Sequence, residues 1–350
     1  MTRVARLRAP RRPEDLLASP WRFTFAPGWL VYRPLVALRN IAYDWGWLPI
    51  CTVNAPVIAV GNLSAGGTGK TPFCAWLCQR LSQAGWKPAV LMRGYGGDGG
   101  PNDEAQLLAA PVVCDPDRVR GAGTALAAGA TCVVLDDGFQ HRRLARNLDI
   151  VLIDALRPWG GGAVIPLGLL REGRSSLRRA GCLVVTRSDQ VTPATLANLV
   201  ATLQRWQVPV ICAQHQPTRL VTLEGGNGSD GGAAQAPSAL AGRAVLLASG
   251  VGNPQGFTLT AQNLGWEIRD HLRYPDHHAY SDADIKHLAE AARLHQATLV
   301  VTAKDAVKLR HRGLDSALVL EIALGFAPAD EQVLWAAIVA HLPAAGPSPD

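Results

Sequence analysis

The run AGGTGKT at 65–71 joins three glycines to a lysine and a threonine, a combination suited to phosphate chemistry. Gly66, Gly67 and Gly69 let backbone amides turn inward on phosphate oxygens, and a helix starting near Lys70 adds unpaired N–H groups and the positive end of its dipole. Lys70 reaches the β- and γ-phosphates of a nucleotide and Thr71 holds Mg²⁺, while Ser64, Ala65 and Thr68 complete the loop. Pro72 suits a first helical turn. The strict G-x-x-x-x-G-K-[ST] pattern has glycine where this chain has Ser64. A glycine-rich turn with an incidental Lys-Thr is the alternative; the apolar strand APVIAVGN leading straight into the loop favours the phosphate reading.

Such a loop needs an acidic partner closing a neighbouring strand. TCVVLDDG (131–138) supplies it in Asp136 and Asp137. Two adjacent carboxylates ending a buried strand are costly without a cation to receive them, so both are expected at a magnesium site, against an ordinary Asp-Asp-Gly turn. Gln140, His141 and Arg142 follow just past the strand's carboxyl end, where open α/β sheets bind ligands. The set predicts a kinase using ATP and Mg²⁺, with Lys70 and Asp137 in the catalytic machinery. Two other P-loop classes compete. A deviant regulatory ATPase would carry lysine at the position of Ala65, and a GTPase would need Asn/Thr-Lys-x-Asp where Thr186-Arg187-Ser188-Asp189 has arginine in place of the lysine.

The elements that must position these residues alternate. APVIAV, PAVLM, CVVLD, IVLID, CLVVT and VPVIC are short, nearly continuous apolar runs, as in strands covered on both faces, and longer helical patterns separate them. This predicts an α/β, doubly wound, mostly parallel sheet. After a Gly/Ala/Ser-rich break at 224–242, AVLLAS, ATLVVTA and ALVLEIA restart the alternation. The expected organisation is therefore a basic Trp-rich segment at 1–50, a P-loop kinase domain at 51–215, a linker at 216–240 and a smaller α/β domain at 241–345.

The net charge of +6 is concentrated at one end: residues 1–40 hold eight arginines against Glu14 and Asp15, which leaves the other 310 residues neutral. The stretch that follows is apolar but broken by Arg33, Pro34, Arg39 and Asp44, and so falls short of a spanning helix. Trp21, Trp29, Trp45 and Trp47 lie among these charges, the mixture of an interfacial helix on anionic head groups. A helix packed on the protein itself is the alternative. No basic patch continues along the chain, so nucleic acid is not an expected partner. The seven cysteines form no Cys-x-x-Cys pair, which argues against a zinc site or a disulfide framework.

With these residues in hand, the chain resembles the tetraacyldisaccharide 4'-kinase (lipid A 4'-kinase) family. The segments that carry the resemblance are VGNLSAGGTGKTP (60–72), RGYGG (93–97), NDEAQLL (102–108), LDDGFQHRRLARN (135–147), PLGLLRE (166–172), DHHAYSDADI (276–285) and TAKDAVKL (302–309). It implies transfer of the ATP γ-phosphoryl group to the 4'-hydroxyl of a tetraacylated glucosamine disaccharide 1-phosphate. The expected partners are this lipid A precursor and the anionic membrane surface at the cytoplasmic face of the inner membrane, with no obligate protein partner. It further implies Asp103 as the base, paired with His277 rather than His278, and adds Arg93 and Glu172 to the substrate side. Ala105 and Ala303 stand where the family commonly has proline and glutamate.

Overall fold

Strands covered on both faces can afford unbroken apolar sequence, and the predicted strands at 57–62, 88–92, 132–136, 148–154 and 182–186 are buried along their length, while those at 210–222, 298–302 and 318–326 are buried in part. The computed structural model describes residues 20–94, 105–108, 110–224, 234–276 and 278–343. Asp103 and His277 lie outside the described residues, as do Arg3, Arg6, Arg8, Arg11 and Arg12 of the basic head.

In chain order the elements open with α1 (Ala26–Asp44), β1 (Val57–Asn62), α2 (Lys70–Gln83), β2 (Pro88–Met92), β3 (Val112–Cys114), α3 (Arg118–Ala127), β4 (Cys132–Asp136) and β5 (Leu148–Asp154). They continue with β6 (Cys182–Thr186), α4 (Pro193–Gln204), β7 (Val210–Thr222), β8 (Ala244–Ser249), α5 (Pro254–Asn263) and β9 (Glu267–Arg273). Last come α6 (Asp282–Leu294), β10 (Thr298–Thr302), α7 (Ala303–Leu309), β11 (Leu318–Phe326) and α8 (Pro328–Val339). Side-chain oxygens cap several helix starts. Asp117, Thr192, Asn253, Ser281 and Thr302 each accept a backbone N–H of the first turn.

The strands form one sheet in the order β3-β2-β4-β1-β5-β6-β7-β11-β10-β8-β9. Every pairing is parallel except β7 with β11, so this long antiparallel pair joins two parallel halves. The expected linker begins inside it, because β7 runs on to Thr222. β1 is flanked by β4 and β5, which makes its carboxyl end a topological switch point. On one face of the first half, Phe73, Leu77 and Leu81 of α2 pack on Ile58, Val90, Val134 and Ile150, each fully or almost fully buried. Burial on this scale contributes about 1.5–3 kcal/mol per side chain.

Two strands have no signal in the sequence. β3 is three residues long and half-exposed, and β9 (EIRDHLR) is largely polar and exposed. Both lie at the sheet's edges, where one backbone flank and much of the side-chain surface need no apolar cover.

α1 does not bury an apolar face in the usual way. Trp29 and Tyr32 touch the core, and Asn40 is its buried residue. Leu30, Val31, Leu35 and Leu38 are about 60% exposed, with Trp45 and Trp47 beyond the helix end at 66% and 69%. Among the described residues, no helix is long and apolar enough to cross a membrane.

Candidate active site

The phosphate loop leaves β1 and enters α2 at Lys70 as the spacing requires. Its carbonyls are tied outward. Asn62 Nδ2 donates to Ser64 O at 2.8 Å, Arg187 Nη2 to Gly67 O at 3.0 Å and Thr186 Oγ1 to Thr68 O at 2.9 Å. In a planar trans peptide the N–H points opposite to the carbonyl, so outward carbonyls at 67 and 68 turn the Thr68 and Gly69 amides inward. Gly69 adopts φ +86°, and a Cβ there would lie 2.8 Å from Nε2 of the buried His215; both the turn and the close approach demand glycine.

Asp137 meets two cations at the loop's mouth. Lys70 Nζ lies 3.4 Å from its Oδ1, and Arg171 Nη1 donates to its Oδ2 at 2.6 Å. Burial pushes the carboxyl up, but the charges of Lys70 and Arg171 outweigh it and bring it down to about 2. The residue sits at φ 54° on the turn after β4. Its Oδ1 is shielded from solvent and meets Lys70 only as a long ion pair, which leaves it lone-pair capacity for a further cation. Asp136, 5% exposed, closes β4 close to Cys74 of α2, with Sγ to Oδ1 at 3.8 Å. Hard oxygen donors at Thr71, Asp136 and Asp137 beside a phosphate loop fit Mg²⁺, which takes a few protein oxygens and otherwise keeps water and phosphate.

Opposite the loop stands the carboxyl end of the second half. Gly252 approaches so closely that a Cβ on it would lie 2.4 Å from Gly67 N. Between the two lies a cavity of about 660 Å³, lined by the loop, Asp136, Asp137, Arg171 and, from the far side, Asn253, Phe257 and Lys304. Lys304 Nζ pairs with Asp276 Oδ1 at 3.1 Å, next to the position of His277. His278 is engaged elsewhere: its Nε2 lies 3.1 Å from Asp284 Oδ2 at the cap of α6, and its ring stacks on Tyr274.

The structure brings Gly66, Gly67, Thr68, Gly69, Lys70, Thr71, Asp136, Asp137 and the exposed Arg93 to this cavity. Ser64 and Ala65 line a smaller space of about 260 Å³ behind the loop. Gln140 bridges Asn62 O, at 2.9 Å, and Arg171. His141, on the turn after β4, has a buried, unpartnered Nε2, and burial together with Arg118 and Arg146 pushes its imidazole down to about 4. Of the residues expected on the substrate side, Gln140, His141, Arg142 and Glu172 are not among those lining either space. Arg142 binds Asn40 O and Asp44 of α1, and Glu172 receives Arg39 and Asn40 of α1 together with Arg179.

Sequence reasoning missed Arg171 and Arg118. Arg171 stood inside PLGLLRE with no spacing to tie it to Asp137. Arg118, 4% exposed, bonds the backbone of Asp115 and Asp136. Arg187, weighed only as a failed guanine-reading residue, holds the phosphate loop.

A family model described as "LpxK: Tetraacyldisaccharide-1-P 4'-kinase" matches residues 21–342. A tetraacyldisaccharide 4'-kinase of Anaeromyxobacter sp. (strain K) is 38% identical, the match covering 84% of this chain and 82% of that protein. One from Syntrophus aciditrophicus is 36% identical, covering 83% and 85%, and one from Aeromonas salmonicida 33%, covering 85% and 87%. Among solved structures, a crystal structure of LpxK from Aquifex aeolicus in complex with ATP is similar, with a TM-score of 0.69 and 26% identity over 92% of this chain and 99% of that one.

Proposed function

The chain belongs to the tetraacyldisaccharide-1-P 4'-kinase family, and on that premise we propose how its own residues divide the work of the reaction. It is an ATP-dependent kinase of lipid A biosynthesis acting on the 4'-hydroxyl of the tetraacylated disaccharide 1-phosphate. The acceptor oxygen attacks the γ-phosphorus, the bond to the β–γ bridging oxygen breaks, ADP leaves and the hydroxyl proton must go to a base.

The inward amides of the phosphate loop hold the β- and γ-phosphates, and Lys70 lays its charge along them. Asp137 keeps Lys70 and Arg171 at the mouth of the loop, so both cations stand ready without reorganising as charge shifts to the leaving oxygen. Thr71, Asp136 and Asp137 would hold Mg²⁺, which neutralises phosphate charge when bound. Asp103 takes the acceptor proton and His277 orients it. This pair comes from the family resemblance, and the engagement of His278 with Asp284 favours His277. Residues 51–215 bind the nucleotide and 241–345 close over it, joined through the β7–β11 pair. The exposed apolar row of α1, with the arginines before it, rests on the anionic cytoplasmic face of the inner membrane and presents the lipid's sugar to the cleft.

The observation that carries this reading is the Lys70–Asp137–Arg171 constellation at the end of the loop. Replacing Lys70 in an assay of label transfer from γ-labelled ATP to an extracted lipid acceptor tests it.

A further inference from the structure

We infer that Asp154, Arg187 and Asn253 form a latch by which the second half of the molecule sets the shape of the phosphate loop, with Asn253 a positioning residue for phosphoryl transfer. The inference rests on the loop being the nucleotide site. Asp154 closes β5 and is 5% exposed. Its Oδ2 receives Arg187 Nη1 at 2.7 Å and Asn253 Nδ2 at 2.8 Å, while Oδ1 takes the Leu156 N–H at 3.1 Å. One carboxylate thus ties a residue after β6 to the residue that caps α5. The other end of the same guanidinium reaches Gly67 O at 3.0 Å.

The consequence follows from peptide geometry. With Gly67 O held outward, the Thr68 N–H can point only inward, where a phosphate would sit. Glycine at 67 removes the side-chain barrier to a peptide flip, so the hydrogen bond has to maintain this orientation. Arg187 in turn is held by contact as well as charge. It adopts φ 55°, is 7% exposed, and lies beneath the first turn of α5, where a Cβ on Gly256 would meet its Nε at 2.8 Å. Gly252 closes on Gly67 from the same side. Residues 252–256 therefore reach the loop directly and through Arg187. A guanidinium whose Asp154 partner is no longer held by Asn253 would keep its charge and lose its aim.

Asn253 has a second task, since its Oδ1 accepts the Gly256 N–H at 3.2 Å as the helix cap. Asn253→Asp separates the two, because aspartate caps a helix as well as asparagine does but offers Asp154 a carboxylate instead of a donor. Loss of a hydrogen bond to a buried charge is expected to raise KM for ATP about tenfold or more, with KM for the lipid acceptor and helix content little changed. Asn253→Ser, which keeps a cap oxygen and lacks the reach to Asp154, should move the same parameter. Arg187→Lys, which keeps the charge but cannot span Asp154 and Gly67 O at once, is expected to raise KM for ATP by a similar factor, and adding Asn253→Ser to it should cost little more, since the two residues act through one carboxylate. An unchanged KM for ATP in Asn253→Ser, or fully multiplicative losses when Asn253→Ser is combined with Arg187→Lys, overturns the latch. Lys70→Ala run in parallel separates the two readings. If it remains active the loop assignment itself fails, whereas an inactive Lys70→Ala beside an unaffected Asn253 variant removes the latch alone.

Discussion

Asn40 Nδ2 donates to Glu172 Oε2 at 2.8 Å, joining the buried residue of α1 to a carboxylate with no exposed surface. Arg179, at 3.0 Å, and Arg39 neutralise the same carboxylate, and Arg142 grips the helix one turn on through Asn40 O and Asp44. Burial pushes the Glu172 carboxyl up, and Arg179, Ser176 and Asn40 pull it below its ordinary range. The helix is thus fixed by polar links from one side, and its apolar row is left to face outward.

Leu35→Glu with Leu38→Glu should therefore release the protein from anionic vesicles without unfolding it, because both side chains are about 60% exposed. Burying two leucines in lipid is worth about 3 kcal/mol or more, so a loss of binding of at least about a hundredfold is expected. Flotation at low salt, with circular dichroism as the control for folding, reads this directly. Unchanged flotation would put the membrane contact on another surface.

Lys70→Ala should abolish transfer while leaving thermal unfolding close to normal, since the lysine sits at the loop's mouth and not in the core. Activity above about a tenth of the parent, a barrier change under roughly 1.4 kcal/mol, would be too small for a residue acting on the transferred phosphoryl group.

Asp137 supplies a pH-dependent test. Its carboxyl titrates at about 2 in the folded chain, against about 3.9 unfolded. A lowered folded value adds stability that is complete above about pH 5 and is lost as pH falls through 2, roughly 2–3 kcal/mol in all for this partly exposed group. The stability gap between the parent and Asp137→Asn, measured by urea unfolding, should shrink by about half between pH 6 and pH 3. A gap that stays constant over that range would mean that the carboxylate is not held by Lys70 and Arg171.

Asp103→Ala and His277→Ala should each lower kcat strongly, and the double variant should be little worse than the poorer single one, because residues sharing one task are far from additive. His278→Ala should do less, its ring being committed to Asp284. Fully multiplicative losses at 103 and 277 in steady-state kcat would dissolve the pair.

The sequence revealed what local chemistry dictates. Glycine spacing announced the phosphate loop, unbroken apolar runs announced the buried strands, and Asp136-Asp137 at a strand's end announced the acidic partner. It did not reveal what depends on long-range approach. Arg171 reaches Asp137 across 34 residues, and Arg187 reaches Gly67 across 120. The strand-end position of Arg142 and the family resemblance behind Glu172 likewise carried no sign of the bonds that tie Arg142 to Asn40 and Asp44 and Glu172 to Arg39, Asn40 and Arg179. β9 escaped because an edge strand with a solvated face keeps no apolar period.

The most direct measurement is transfer of label from γ-labelled ATP by the purified chain in the presence and absence of the tetraacylated disaccharide 1-phosphate. The expected result is label on the lipid at the 4'-oxygen, with little free phosphate when lipid is omitted. Release of free phosphate at the same rate with or without lipid, and no labelled lipid, would contradict a kinase acting on this acceptor and point to a hydrolytic P-loop enzyme.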